Sequence, residues 1–315
     1  MTLRALVTRF RAYQLGNAGS SFSYFDGSDF TLIEGRLTEA NEITIAAELR
    51  ICGKTRIDVL HITSWDQDHC SPKQLEKILA DYSPSKIECP GYQPHTDSGK
   101  DSLKIIKKYR EGAIANAPKI VRVTPEYISS LGTAEDFGYK NILYHPKMID
   151  PDNSNNNSTV KQFRTGSFNV LSLGDVECSN ISSYLRRTRS INSEVDILIL
   201  AHHGADNGFT TSPFLRAVEP PFAIATADYG NKFEHPKPEI RELLYKHGVK
   251  LMTTKTGDVI VRSIKTHFGH YEVINLKAGS EEVSSRHEHV SKKFKKLNMN
   301  ADSIRNMYAK RSNRP

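Results

Sequence analysis

The stretch His61–Cys70, with the sequence HITSWDQDHC, decides how the chain is interpreted. It follows the apolar run RIDVL and precedes SPKQLEKILA, whose leucine and isoleucine positions recur at helical spacing. Three side chains of metal-binding type, Asp66, Asp68 and His69, therefore fall where a strand passes into a helix. Ser64 stands where one more ligand would fit, and its presence there needs an explanation.

The rest of the composition is that of an ordinary globular protein. The chain has 315 residues, enough for one large domain plus a tail. Its four cysteines are scattered without a paired motif, which predicts reduced thiols. No apolar run approaches the roughly 18 residues of a membrane helix, and arginines interrupt the N-terminal apolar positions. We therefore expect a cytoplasmic protein that does not enter a membrane.

Positive charge is concentrated at the C-terminal end. Of the net charge of +7, the segment from Lys277 onward contributes 6, with ten Lys/Arg against four Asp/Glu. This segment is either a solvated helix or a basic arm for nucleic acid or an acidic protein partner. Because Phe294 and Leu297 are interleaved with its lysines, it could equally dock on the body of the protein.

Strand and helix patterns alternate along most of the chain. FSYF and FTLIEG form a predicted hairpin, RIDVLHIT a buried strand, and SPKQLEKILADY a helix capped by Ser71. TVKQFRTGSFNVLSLGDVE is a second predicted hairpin, and VDILILA and FAIATA are further strands. Mixed strands with helices to either side favour a layered αββα or doubly wound α/β body.

Polar side chains of metal-binding type recur directly after these strands. Asp175 follows FNVLSLG, His202 and His203 follow DILILA, and His235 follows FAIATADYGNKFE. Strand ends that meet at one edge of a sheet would bring these groups to the acidic cluster of the opening stretch. Carboxylates mixed with imidazoles suit Zn²⁺ or Mn²⁺, whose bound water ionises near neutral pH. Each motif alone is weak evidence for a metal site, and the ordered set is much stronger evidence.

That ordered set, SWDQDH, NNNS, LSLGD, ILAHHG and EHP, resembles the motifs of the metallo-β-lactamase fold. Within that fold it resembles the ComEC-like hydrolases, the nuclease-type domain of bacterial DNA-uptake channel proteins. The likeness spans about Ala5 to Leu276, most of the chain. It implies an α/β, αββα metallo-β-lactamase-like sandwich over residues 1–276, followed by a basic C-terminal tail or helix over residues 277–315.

The resemblance also implies a set of metal ligands. Asp68 and His69 would hold one metal with a histidine of the adjacent pair, Asp175 would bridge toward a second site, and Asp66 would belong to that site. Nothing in the sequence chooses between the two adjacent histidines. The expected ligands are Asp66, Asp68, His69, Asp175, His202 and His203.

Roles in catalysis follow from the same resemblance. Asp68 counts as catalytic as well as a ligand. His235 would sit beside the scissile phosphate as ligand, proton donor or oxyanion stabiliser. Asn157, together with Ser158 and Asn231, would orient water or substrate oxygens.

Departures from the family pattern limit the expected metal content. Ser64 stands where the family has its first histidine, and Glu34 replaces an aspartate. Because a serine hydroxyl is a poor Zn²⁺ ligand, one of two metal positions should be weakened. We expect one or two ions of Zn²⁺ or Mn²⁺.

Three hypotheses for function follow. The first is a metal-dependent hydrolase, a nuclease or phosphodiesterase that acts on nucleic acid or nucleotides through a metal-bound hydroxide. The second is a catalytically weakened scaffold that binds a partner through the basic tail. A third, hydrolysis of small esters or lactams, has less support because the loops beside the motifs are polar.

Overall fold

The computed structural model describes residues 5–112, 117–131 and 140–296. Its strands and helices alternate much as the sequence pattern predicts. The strands are β1 Arg9–Ala12, β2 Phe22–Phe25, β3 Phe30–Ile33, β4 Val59–His61, β5 Lys86–Pro90, β6 Lys119–Val123, β7 Ile142–His145, β8 Val160–Phe163, β9 Val170–Ser172, β10 Ile197–Ile199, β11 Phe222–Ala225, β12 Lys250–Thr253, β13 Val259–Ser263, β14 His270–Leu276 and β15 Val283–Val290. The helices are α1 Glu39–Ile51, α2 Pro72–Tyr82, α3 Asp97–Glu111, α4 Pro125–Ser130, α5 Ser179–Leu185, α6 Arg189–Glu194, α7 Ser212–Val218 and α8 Pro238–Lys246.

The strands form two mixed sheets. One has nine strands in the order β15-β14-β13-β1-β2-β3-β4-β5-β6, and the other has six in the order β12-β11-β10-β9-β8-β7. The pairings from β3 to β6 and from β9 to β12 are parallel, while the remaining pairings are antiparallel. Parallel strands present their carboxyl ends at one edge, where the polar motifs follow β4, β9, β10 and β11.

Three apolar clusters define four layers. The central cluster joins Phe10 and Tyr24 of the nine-stranded sheet to Phe163 and Ile224 of the six-stranded sheet. A second cluster packs α1, α2 and α3 on the outer face of the first sheet, and a third packs α5 to α8 on the outer face of the other. This confirms the predicted αββα sandwich.

The C-terminal segment does not begin as a separate tail. Residues Val283–Val290 form β15, which pairs with β14 at the edge of the nine-stranded sheet. After it, the ring of Phe294 lies 5.1 Å from that of Phe268, and the ammonium of the buried Lys293 donates to the carbonyls of Arg164 and Gly166. These residues therefore dock on the body, in part through backbone pairing with β14. Residues from Leu297 onward lie outside the described residues.

Within the described ranges, no helix has both the length and the apolar character needed to cross a membrane.

Candidate metal centre

Four side chains from three loops meet where the two sheets face each other at the carboxyl ends of their parallel strands. Asp68, His69, Asp175 and His203 place one ligand atom each within 4.8 Å of one another. Nε2 of His69 lies 2.8 Å from Oδ2 of Asp175, and Nε2 of His203 lies 3.3 Å from Oδ2 of Asp68. Two imidazoles and two carboxylates form a donor set that suits a dication such as Zn²⁺ or Mn²⁺.

His69 is oriented by a buried carboxylate behind it. Its Nδ1 lies 3.1 Å from Oε1 of Glu34, which also accepts a hydrogen bond from Oγ1 of Thr63 at 2.5 Å. The other carboxylate oxygen of Glu34 accepts from the backbone N–H of Thr63 at 3.0 Å. A carboxylate that accepts from Nδ1–H leaves Nε2 deprotonated and directed at the cluster, an arrangement typical of histidine ligands.

His203 is held in the same tautomer by a backbone carbonyl. Its Nδ1 lies 3.0 Å from the carbonyl oxygen of Thr226 and its Nε2 faces Asp68 and Asp175. The backbone of His203 is left-handed, with φ of 56°, and this conformation turns the imidazole back toward the other loops. The structure thus selects His203 rather than His202 for the cluster.

Close backbone contact keeps the Asp68 loop in place. The N–H of Ser20 donates to the carbonyl of Asp68 at 3.0 Å, and Gly19 precedes it with φ of 130°. A Cβ at position 19 would come within 2.4 Å of that carbonyl oxygen, so only glycine fits. The guanidinium of Arg36 ties the two loops together by donating to the carbonyls of Gln67 and Ala18.

The electrostatics of the cluster favour a bound cation. Burial alone would lower the pKa of His69, but Asp175, Glu34 and Asp68 outweigh it and hold that pKa well above its usual range. For Asp68 the effect of burial has the opposite sign and would raise its pKa, but His69 and His203 hold that pKa below its usual range. Nε2 of His69 is buried and lies 2.8 Å from Oδ2 of Asp175. A buried imidazole nitrogen that faces carboxylates fits a metal ion.

The expected ligand Asp66 lies outside this group and is hydrogen-bonded to Ser64. The buried hydroxyl of Ser64 donates to Oδ2 of Asp66 at 2.9 Å and lies 3.2 Å from the hydroxyl of Tyr92. Tyr92 in turn accepts the backbone N–H of Trp65 at 3.1 Å. Ser64 and Tyr92 therefore form a hydrogen-bonded unit that fixes the start of the motif and occupies one carboxylate oxygen of Asp66.

His202 also lies outside the group and faces a different carboxylate. Its Nδ1 is 2.5 Å from Oε1 of Glu177. The side-chain amides of Asn153 and Asn155 donate to the two oxygens of Glu177 at 2.8 and 2.9 Å, so this carboxylate is fixed in orientation. The predicted ligand role of His202 is not seen in this arrangement, in which it borders the cluster.

His235 borders the cluster on the other side of the histidine pair. Its ring lies 6.3 Å from that of His203 and 5.8 Å from that of His202. Burial and the neighbouring histidines lower the pKa of His235 to about 4, so the ring is neutral at pH 7. Asn231 accepts the backbone N–H of His235 at 2.7 Å and donates to its carbonyl, so Asn231 positions the His235 loop rather than a substrate.

Asn157 does not face a substrate. Its side-chain oxygen accepts the backbone N–H of Asp150 at 2.7 Å, and its amide donates to the carbonyl of Asp150 at 2.8 Å. Both ends of the buried amide are occupied, so the expected role in orienting water or substrate is replaced by a structural one. The neighbouring hydroxyl of Ser158 is buried without a hydrogen-bond partner.

Sequence reasoning missed the groups that orient the side chains of the motifs. Glu34 carried a signal, because it ends a strand at a position where the related family has an acid. The backbone carbonyl of Thr226 and the hydroxyl of Tyr92 carried none, since their contribution depends on how distant loops meet. Glu177 follows Asp175 by two residues and could have been included with it.

Comparisons with known proteins agree with the resemblance seen in the motifs. No family model matches the chain. It is 25% identical to ComE operon protein 3 of Bacillus subtilis (strain 168) over 224 residues, which cover 70% of this chain and 26% of that protein. It is 31% identical to competence protein ComA of Neisseria gonorrhoeae over 100 residues, which cover 32% of this chain and 14% of that protein. The chain thus spans about a quarter or less of the length of these relatives.

Solved structures with a similar fold include two proteins. One is the metallo-beta-lactamase fold protein YhfI from Bacillus subtilis, with a TM-score of 0.44 and 12% identity over 81% of this chain and 99% of that one. The other is Igni18, a metallo hydrolase from Ignicoccus hospitalis, with a TM-score of 0.46 and 12% identity over 80% of this chain and 98% of that one. The expected resemblance to ComEC-like proteins is confirmed by the two competence relatives described above.

Proposed function

We propose that this protein is a metal-dependent hydrolase of phosphodiester bonds, with nucleic acid or a nucleotide as its substrate. The observation that carries the proposal is the group Asp68, His69, Asp175 and His203, in which a second contact orients each imidazole. The similarity to competence proteins supports the choice of nucleic acid.

The residues divide the chemistry between them. A bound dication supplies Lewis acidity and lowers the pKa of a water molecule. His69 and His203 offer neutral nitrogens because Glu34 and the Thr226 carbonyl hold the Nδ1 protons. Asp68 and Asp175 balance the positive charge, and neutral His235 offers a hydrogen bond at the open side of the cluster, where charge on a phosphoryl oxygen would develop.

One site, rather than two equal ones, is expected. Ser64 is engaged by Tyr92 and Asp66, so it offers no nitrogen or carboxylate at the position where the related family has a histidine. We propose that the protein holds one Zn²⁺ or Mn²⁺ tightly and any second ion weakly.

The test combines metal analysis with cleavage. Protein purified without chelator is analysed for metal and incubated with single- and double-stranded DNA, RNA and cyclic and linear nucleotides, in Zn²⁺ or Mn²⁺. Asp175→Asn should lose metal and activity, whereas Asp101→Asn on the exposed face of α3 should keep both. Stoichiometric metal without cleavage of any of these substrates would overturn the assignment.

The unfilled histidine position favours a second candidate, a scaffold without catalysis. Less than about 0.2 metal per chain in the wild-type protein, with no loss of folding on Asp175→Asn, would support the scaffold and contradict the hydrolase.

A further inference from the structure

The loop that carries His235 also presents two exposed aromatic side chains. Tyr229 is 79% exposed and Phe233 is 56% exposed, far more than the large aromatic residues of the core. Both lie between β11 and α8, next to the proposed catalytic centre. Two large exposed aromatic side chains within one short loop form the kind of apolar surface that contacts a ligand.

Phe233 continues a line of rings that begins in the metal cluster. The ring of His235 lies 6.3 Å from that of His203 with an interplanar angle of 18°, and the ring of Phe233 lies 5.7 Å from that of His235, also at 18°. Three nearly parallel rings therefore lead from a predicted ligand to the protein surface. A planar group that packed on Phe233 would extend this line by one more layer.

Two lysine side chains lie near Phe233. The ammonium of Lys232 lies 4.8 Å from the centre of the Phe233 ring. Lys237, two residues after His235, lies 3.8 Å from Glu234 and adds a second ammonium close to the same rim. Aromatic faces flanked by lysines are the combination that binds single-stranded nucleic acid, because bases stack on the rings while phosphates meet the ammonium groups.

We propose that Phe233, assisted by Tyr229 and Lys232, is a base-stacking platform that selects single-stranded nucleic acid at the metal centre. This inference rests on the proposed function and narrows its substrate class. A base that stacks on Phe233 places the adjoining backbone beside His235, within about one nucleotide of the cluster. A duplex keeps its bases paired and stacked on each other, and so offers no free base face.

Binding without cleavage tests the platform. Fluorescence anisotropy in EDTA compares a labelled twelve-nucleotide oligothymidylate with an abasic phosphodiester chain of the same length, which has the phosphates but no bases. Phe233→Ala should weaken oligothymidylate binding by at least about fivefold, the loss of one stacked base, and leave abasic binding unchanged. Phe233→Trp should retain wild-type binding of the oligothymidylate. Tyr245→Ala is the matched control, because Tyr245 is 85% exposed at the far end of α8.

The outcomes separate the two proposals. Suppose that the wild-type protein cleaves oligothymidylate. If the Phe233→Ala variant then binds both chains as tightly as wild type, or binds both more weakly by the same factor, the platform is refuted and the hydrolase proposal stands. If wild-type protein neither binds nor cleaves any nucleic acid, both proposals fail. If Phe233 is instead required for binding anionic lipid vesicles and not oligothymidylate, the loop is a membrane contact and the platform is refuted.

Discussion

Replacing Glu34 with glutamine tests whether the cluster is a metal site whose histidine ligand is oriented by a buried carboxylate, or a group of polar side chains with no metal-binding role. Glu34 is buried, with 1% of its surface exposed. Its two oxygens accept three hydrogen bonds, from the Thr63 N–H, the Thr63 hydroxyl and Nδ1 of His69. Glutamine has nearly the same shape, so the substitution changes chemistry while volume is conserved.

Either orientation of the new amide disturbs the site. With its NH₂ toward the Thr63 N–H, two donors face each other in a buried place, at a cost of about 1–3 kcal/mol. With its NH₂ toward His69, Nδ1 becomes the acceptor and the proton moves to Nε2, the nitrogen that faces Asp175. A protonated Nε2 cannot bind a metal. We therefore expect metal affinity to fall about 10–100-fold, the usual effect of losing such a contact.

The assay is competition for Zn²⁺ against a chromophoric chelator, with urea denaturation of the metal-free protein alongside. Glu272→Gln is the matched control, because Glu272 on β14 is also a buried carboxylate, held by Arg262 on the neighbouring strand β13. Since β14 lies four strands from β3, about 19 Å away, this control should lose stability without losing metal affinity. A folded Glu34→Gln variant with wild-type Zn²⁺ affinity would refute the reasoning.

Three further substitutions test the roles assigned above. Ser64→His should raise metal content toward two per chain and, because it crowds Tyr92, lower the free energy of unfolding by about 1–3 kcal/mol; unchanged metal content by mass spectrometry would contradict it. Asn157→Ala should lower the free energy of unfolding by about 1–3 kcal/mol, because it leaves the Asp150 N–H without its partner, while metal affinity in the chelator assay stays at the wild-type value. Burial lowers the pKa of His145 to about 4, below its unfolded value, so wild-type stability should fall as pH drops from 6.5 toward 4, and urea denaturation of His145→Gln should show a smaller fall.

The fold was predictable because its signals are local. The hairpin of β2 and β3, the buried strand β4 and the helix begun by Pro72 all follow from short-range patterns, and each occurs as predicted. The C-terminal strand β15 was not predictable in the same way. Its sequence, VSSRHEHV, is polar and largely exposed, so pairing with β14 rather than an apolar face specifies it.

The site was predictable only in part, for a related reason. Motifs directly after strands identified Asp68, His69 and Asp175, since parallel strand ends share an edge. The choice of His203 over His202 depends on left-handed backbone at both residues and on the carbonyl of Thr226, which belongs to a neighbouring strand end. Information of that kind resides in tertiary contacts, so adjacent histidines in a sequence remain equivalent until the loops are placed.

The same contacts indicate that the cluster requires compensating positive charge. Glu34 and Asp175 are almost fully buried and lie on either side of His69, with Asp68 nearby. Burying several carboxylates together is costly unless positive charge compensates them. Without a metal the compensating charge is a proton on His69, which is why its pKa is raised against the effect of burial. A dication and that proton compete for one nitrogen, so metal uptake must release protons and must weaken as pH falls. A helix cap with acids in its first turn would show neither proton release nor pH-dependent metal binding. These two measurements therefore distinguish a metal site from a helix cap in the stretch from His61 to Cys70.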